Sequence, residues 1–114
     1  MIKSERHQRA LDYAIEQIKK SSIYQFVNAL YLYGSCSRGS ENWDSDVDLF
    51  LELNEDFALH PEFRWDMRVL QGAVSSDELY DVETDLKIVV GKAWLLDNSI
   101  YYENIRKEGR LIWI

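Results

Sequence analysis

The segment from Asp46 to Leu53 alternates without a break: Asp46, Asp48, Phe50 and Glu52 point one way, and Val47, Leu49, Leu51 and Leu53 point the other. A two-residue period predicts a β-strand with one apolar face, which another layer must cover. Two more strands are predicted. Phe26 to Tyr33 is rich in β-branched and aromatic residues and closed by Gly34, and Glu83 to Val90 sets Glu83, Asp85, Lys87 and Val89 against Leu86, Ile88 and Val90. Helical spacing of Leu11, Ala14, Ile15 and Ile18 predicts a first helix over Ser4 to Lys20. Phe63, Met67 and Leu70 predict a second over Pro61 to Gln71. A third is expected over Asn98 to Glu108, ended by Gly109 and followed by a short apolar strand, Arg110 to Ile114. Ser40 to Asp44 and Gly72 to Asp81 read as loops. The predicted class is α/β or α+β, a sheet flanked by helices in one domain, 1–114, with a strand order that the pattern leaves open.

Chemistry concentrates between Tyr33 and Leu49. Gly34 allows a sharp turn and close approach of a ligand to the backbone, Ser35 opens a short helical stretch whose free N–H groups suit an anion, and Arg38 lies within reach of the same spot. Asp46 and Asp48, two apart in a predicted strand, share a face. Two carboxylates about 5 Å apart repel by roughly 3 kcal/mol at an effective dielectric of about 20, which a cation offsets. Magnesium suits such hard oxygen donors and bridges one or two carboxylates to substrate phosphates. Asp85 is the expected third carboxylate, with Asp81 and Glu83 as weaker candidates. Three such groups could hold two metal ions, and Asp85 could take a proton from an attacking hydroxyl. Lys87, on the same predicted face, is placed to offset phosphate charge.

Other readings of these residues are simpler. Asp44, Asp46 and Asp48 could be solvated acids on an exposed strand. A calcium loop of the EF-hand kind, with Asp44, Asp46, Asp48 and Glu55 as ligands, fails because Leu49 stands where a sharp-turning glycine is needed. Nucleophilic catalysis by Cys36 or Ser37 lacks a partner in the sequence, and His7 and His60 are expected at the surface.

Composition narrows the classes. With 13 Lys and Arg against 20 Asp and Glu the chain carries a net charge of −7, so broad binding to nucleic-acid phosphates is not expected. Cys36 is the single cysteine and fits a reducing compartment. No apolar run approaches the length of a membrane span, so a cytoplasmic protein is expected.

Gly34-Ser35, ten intervening residues and Asp46-Val47-Asp48, with Arg38-Gly39 after the first pair and Ser45 and Leu49 flanking the aspartates, resemble the signature of the minimal nucleotidyltransferases. These belong to the DNA polymerase beta-like nucleotidyltransferase superfamily and are related to kanamycin nucleotidyltransferase. The likeness extends more loosely through the Asp85 strand to the segment from Tyr101 to Gly109. It implies a mixed sheet flanked by helices, with Gly34, Ser35 and Arg38 on the nucleotide and Asp46, Asp48 and Asp85 on two magnesium ions. It also implies transfer of a nucleoside monophosphate from ATP or another NTP to an acceptor hydroxyl. Many relatives carry Arg and Ala where this chain has Cys36 and Ser37, a loss of one positive charge that leaves the metal ligands untouched.

The resemblance speaks to the acceptor as well. The superfamily core fills about a hundred residues, so in this reading the acceptor site is shallow or completed by another chain. Proteins of this kind are often paired with a small helical HEPN toxin, which implies an antitoxin that adenylylates its partner on tyrosine. An alternative is modification of a small molecule such as an aminoglycoside, with a partner or a second copy completing the site. Another is a non-catalytic antitoxin that neutralises its partner by binding. Trp43, Trp65, Trp94 and Trp113 bear on this, since most are expected in the core. Trp43, between the two motifs, could instead stack on a base, meet a partner or anchor its loop.

Overall fold

The computed structural model describes every residue except Met1, Asp77, Leu79, Tyr80 and Trp113. Its elements are α1 (Glu5–Lys20), β1 (Val27–Tyr33), α2 (Gly34–Arg38), β2 (Val47–Leu53), α3 (Arg64–Ala73), β3 (Thr84–Val90), α4 (Ile100–Glu108) and β4 (Arg110–Ile112). The strands form one sheet in the order β3-β2-β1-β4. β1 runs antiparallel to both β2 and β4, whereas β2 and β3 are parallel. A parallel pair needs a crossover, and α3 with the 3-10 turns Glu55–Leu59 and Pro61–Phe63 supplies it. The result is the sheet flanked by helices that the sequence pattern predicts, and the mixed sheet that the family resemblance implies.

α1 begins where the Ser4 hydroxyl accepts the His7 N–H, and Glu5 at its start and Lys19 and Lys20 at its end complement the helix dipole. Its buried stripe is His7, Leu11, Ala14 and Ile18. This stripe and Leu70 and Val74 from the α3 side cover one face of the sheet, where Leu30, Leu49, Leu51 and Leu53 are fully buried.

The other face is also closed. Phe50, Trp94 and Ile105 form a second cluster against which Tyr31, Tyr33, Val89 and Tyr102 pack. β2 is therefore buried on both sides, not on one face as its alternation predicts. The 3-10 turn Ala93–Leu96 folds Trp94 over Phe50, with ring centroids 4.8 Å apart. Glu52 is only 2% exposed, and its carboxylate accepts the Trp94 Nε1–H at 2.7 Å and pairs with Lys92 at 3.4 Å. A buried carboxylate of this kind is tolerable only with such partners.

Several other expectations change. Phe26 belongs to a 3-10 turn, Ser22–Phe26, and strand pairing starts at Val27. The second helix opens as a 3-10 turn at Pro61 and continues through Ala73, shortening the expected 72–81 loop, parts of which lie outside the described residues. His7 is buried, not at the surface. Trp94 is core, but Trp43 and Trp65 are largely exposed, and Trp113 lies outside the described residues. Gly109 ends α4 without the left-handed backbone its position suggests, at φ −62. A glycine fits there for a steric reason, because a Cβ would stand 2.5 Å from the Ile105 carbonyl oxygen. Among the described residues no helix is long and apolar enough to cross a membrane.

Candidate active site

β1 ends at Tyr33, and the chain enters α2 through Gly34 at φ +72, a left-handed conformation that glycine adopts without strain. The missing side chain has a second consequence, since a Cβ at Gly34 would overlap Asp48 Oδ2. The Asp48 carboxylate thus lies against the backbone at the β1–α2 turn. Tyr33 is the antiparallel partner of Asp48, and Asp48 is the parallel partner of Asp85. These three residues make one row across β1, β2 and β3. Asp46 is exposed and lies just before β2, not within it, where its carbonyl accepts the Cys36 thiol at 3.5 Å.

Charge is concentrated along this row. Burial, then the charges of Asp85 and Asp46, push the Asp48 carboxyl up to about 6, while the nearby Arg38 guanidinium pulls the other way. Burial is also the main force raising the phenols of Tyr33 and Tyr101, and Asp48 and Asp85 add to it in both. The two hydroxyls are 3.1 Å apart and place an aromatic wall beside the carboxylates. Arg38, exposed at the end of α2, forms a 2.8 Å ion pair with Glu108 of α4. Lys87 Nζ stands 4.0 Å from Asp85.

The intervening loop is tied down by the amino-terminal segment. Glu41 accepts the N–H groups of Lys3 and Ser4 at 2.6 and 2.7 Å. His7 Nε2 lies 2.7 Å from the Ser45 carbonyl and Nδ1 lies 2.8 Å from the Ser4 hydroxyl. A carbonyl only accepts, so Nε2 carries a proton and donates it to that bond. Arg6 donates to the Trp43 carbonyl at 2.8 Å and lays its guanidinium 3.9 Å from the indole centroid. Arg6, Trp43, Asp44, Asp46, Asp81 and Glu83 border a cleft of about 160 Å³.

The structure therefore sorts the candidates. Gly34, Asp48 and Asp85 come together through backbone register, with Asp46 and Arg38 within electrostatic range of Asp48. Asp81 and Glu83 border the neighbouring cleft with Asp46 and are out of register with Asp48. Cys36 is fully buried and its thiol is pushed up to about 11, chiefly by burial, and Ser37 donates its hydroxyl to the Gly34 carbonyl at 2.9 Å. Neither is poised as a nucleophile. Sequence reasoning missed Tyr33, Tyr101 and Glu108. Tyr33 could have been found as the residue that ends β1, whereas Tyr101 and Glu108 lie in the segment to which the likeness extends, but nothing local gives either a contact with a motif some 70 positions earlier.

The donor set suits magnesium. Every candidate ligand is a carboxylate oxygen, and a bound cation would offset both causes that raise Asp48, its burial first and then its repulsion by Asp85 and Asp46. Among the described residues no three His, Cys, Asp or Glu side chains are gathered as a ready cage. An ion that draws much of its coordination from substrate phosphates and water does not require one.

Comparison with solved structures finds the same architecture. A nucleotidyltransferase-type protein from Sulfolobus solfataricus superposes with a TM-score of 0.58 at 18% identity, over 96% of this chain and 84% of that one. A toxin–antitoxin structure with AMP-PNP superposes with a TM-score of 0.55 at 20% identity, over 90% and 71%. A tyrosine-to-alanine mutant of the toxin–antitoxin MntA-HpeT gives 0.51 at 21% identity, over 90% and 71%. At these identities the likeness is one of fold. A search of curated proteins finds no match. The family model described as polymerase beta, nucleotidyltransferase, matches residues 15–113, and with most of its length so matched the chain belongs to that nucleotidyltransferase family.

Proposed function

We propose that the chain is a magnesium-dependent nucleotidyltransferase that moves AMP from ATP to a hydroxyl of a partner protein, a tyrosine of a HEPN toxin, and so acts as an antitoxin. The observation that carries this reading is the in-register pair Asp48 and Asp85, with Asp48 against the glycine of the β1–α2 turn. In the proposed site Asp46, Asp48 and Asp85 hold the metal, and Gly34, Ser35 and Arg38 meet the phosphates. Magnesium, when bound, supplies charge neutralisation of the phosphates and a template for in-line displacement. Asp85, half-exposed beside Lys87, takes the proton of the acceptor hydroxyl. The acceptor oxygen then bonds to the α-phosphorus, the bond from that phosphorus to the oxygen bridging to the β-phosphate breaks, and pyrophosphate leaves. Glu108 orients the Arg38 guanidinium.

Two observations support a protein acceptor over a small molecule. Structural neighbours include members of toxin–antitoxin pairs. Leu95, Leu96 and Ile100 are exposed, Leu96 at 87%, and Ile100 directly precedes Tyr101 of the aromatic wall. The test is incubation of the purified chain with Mg2+, labelled ATP and a co-expressed small helical protein of the HEPN kind. Label on that protein, lost in Asp46→Asn and Asp48→Asn, is expected. Label that persists in both variants would exclude the proposed site, and label only on an added aminoglycoside would move the acceptor to the small-molecule class.

A further inference from the structure

Trp43 is exposed at 68%, yet it stands on a loop that is not free to let it swing. Asn42 accepts the Asp44 N–H through its side chain at 3.0 Å, and the Ser45 N–H reaches the Asn42 carbonyl at 3.2 Å. Arg6 holds the Trp43 carbonyl, and His7 holds that of Ser45. The Arg6 guanidinium covers part of the indole at 3.9 Å, and the remaining ring surface is open to solvent. The Arg6 contact thus leaves most of a large apolar residue exposed to water. Trp43 borders the same cleft as Asp46.

That cleft discriminates chemically. Asp46, at its edge, is shared with the proposed metal site, and the other acidic walls, Asp44, Asp81 and Glu83, stand against Arg6, so a phosphate chain is repelled from that acidic side. A flat, uncharged ring is not repelled, and one that bears an amine can donate to the carboxylates while its face lies on the indole. At about 160 Å³ the space suits a single ring system. We propose that Trp43, backed by Arg6, is the stacking platform for the nucleobase of the bound nucleotide. This rests on the nucleotide-binding reading of the Gly34 and Asp48 site, and it adds where the base goes and why amino-bearing bases are preferred.

Titration calorimetry of the full chain in Mg2+ with a non-hydrolysable ATP analogue and, separately, with inorganic tripolyphosphate tests it. Trp43→Ala is expected to weaken the analogue roughly 10-fold or more, the scale of one base–aromatic stack, and to leave tripolyphosphate unchanged. Trp43→Phe keeps a ring and should retain most of the affinity, which separates stacking from damage to the loop. Unchanged affinity of Trp43→Ala for the analogue overturns the platform, as does an equal loss for both ligands. Failure of the unsubstituted chain to bind either ligand is a different result and overturns the nucleotide-binding reading itself.

Discussion

Asp48 and Asp85 stand side by side in the parallel ladder of β2 and β3, and the carboxylate of the first lies where a side chain at position 34 would be. A fold does not gather like charges for stability. The arrangement costs free energy in the metal-free protein, a cost that a cation bound in the proposed site would offset.

Asp48→Asn should therefore stabilise the metal-free chain while abolishing transfer. The carboxyl releases its proton near 3.8 when unfolded and near 6 when folded, so the folded state binds more protons in between and loses stability as pH rises through that window. About two units would correspond to roughly 3 kcal/mol, and half-exposure and screening reduce this to about 1 kcal/mol. Melting curves in EDTA should show the variant more stable at pH 7.5 and indistinguishable near pH 3.8. A variant less stable at pH 7.5 would contradict this account.

Gly34→Ala should be costly although it adds one methyl group. Left-handed backbone at a non-glycine residue costs of order 1–3 kcal/mol, and the new Cβ displaces the Asp48 carboxylate as well. Urea unfolding should report a loss of about 2 kcal/mol or more, and a neutral result would mean that the turn relaxes freely. Gly72 is the control, because a Cβ there meets nothing within 4 Å.

Trp94→Phe keeps an aromatic ring over Phe50 but removes the donor to buried Glu52. Leaving that carboxylate without its buried partner should cost about 2–3 kcal/mol by urea unfolding. Lys92→Ala, which removes an exposed partner, should cost under about 1 kcal/mol. Similar losses for the two variants would mean that the Trp94 bond has no special weight.

Cys36 should be inert. A thiol fully buried and raised to about 11 has roughly a hundredfold less thiolate at pH 8 than an ordinary cysteine, before access is considered. Alkylation of the native chain should be slower than that of the urea-unfolded chain by at least about that factor, and Cys36→Ser should keep the transfer activity. Loss of activity in a folded Cys36→Ser variant would return the nucleophile reading.

What could be read along the chain was whatever depends on near neighbours. The helical spacing of Leu11, Ala14, Ile15 and Ile18 marks α1, the period of two marks β2, and the spacing from Gly34 to Asp48 carries the family resemblance. Each is a relation within a few residues or a fixed motif. Trp94, by contrast, gives no local sign that it will close the second face of β2, because its partners Phe50 and Glu52 lie more than 40 positions away. His7 looked like a surface residue because its acceptor, the Ser45 carbonyl, belongs to a distant loop.

The same division runs through the site. Asp46 and Asp48 were legible from sequence as a pair on one segment. The alignment of Asp85, and not Asp81 or Glu83, with Asp48 is a matter of strand register, and a shift of one residue would have turned Asp85 to the opposite face. That register is set by burial of Leu86 against the α1 and α3 layer and by the length of the crossover, which are properties of the assembled sheet. Sequence alone thus determined the element types and the motif chemistry, because helical spacing, strand alternation and turn glycines act over a few bonds. Only the tertiary structure decided that Asp85, the carboxylate expected from sequence, stands in register with Asp48 and that Tyr33 and Tyr101 stand beside them, because pairing between strands joins residues whose separation along the chain carries no local signal.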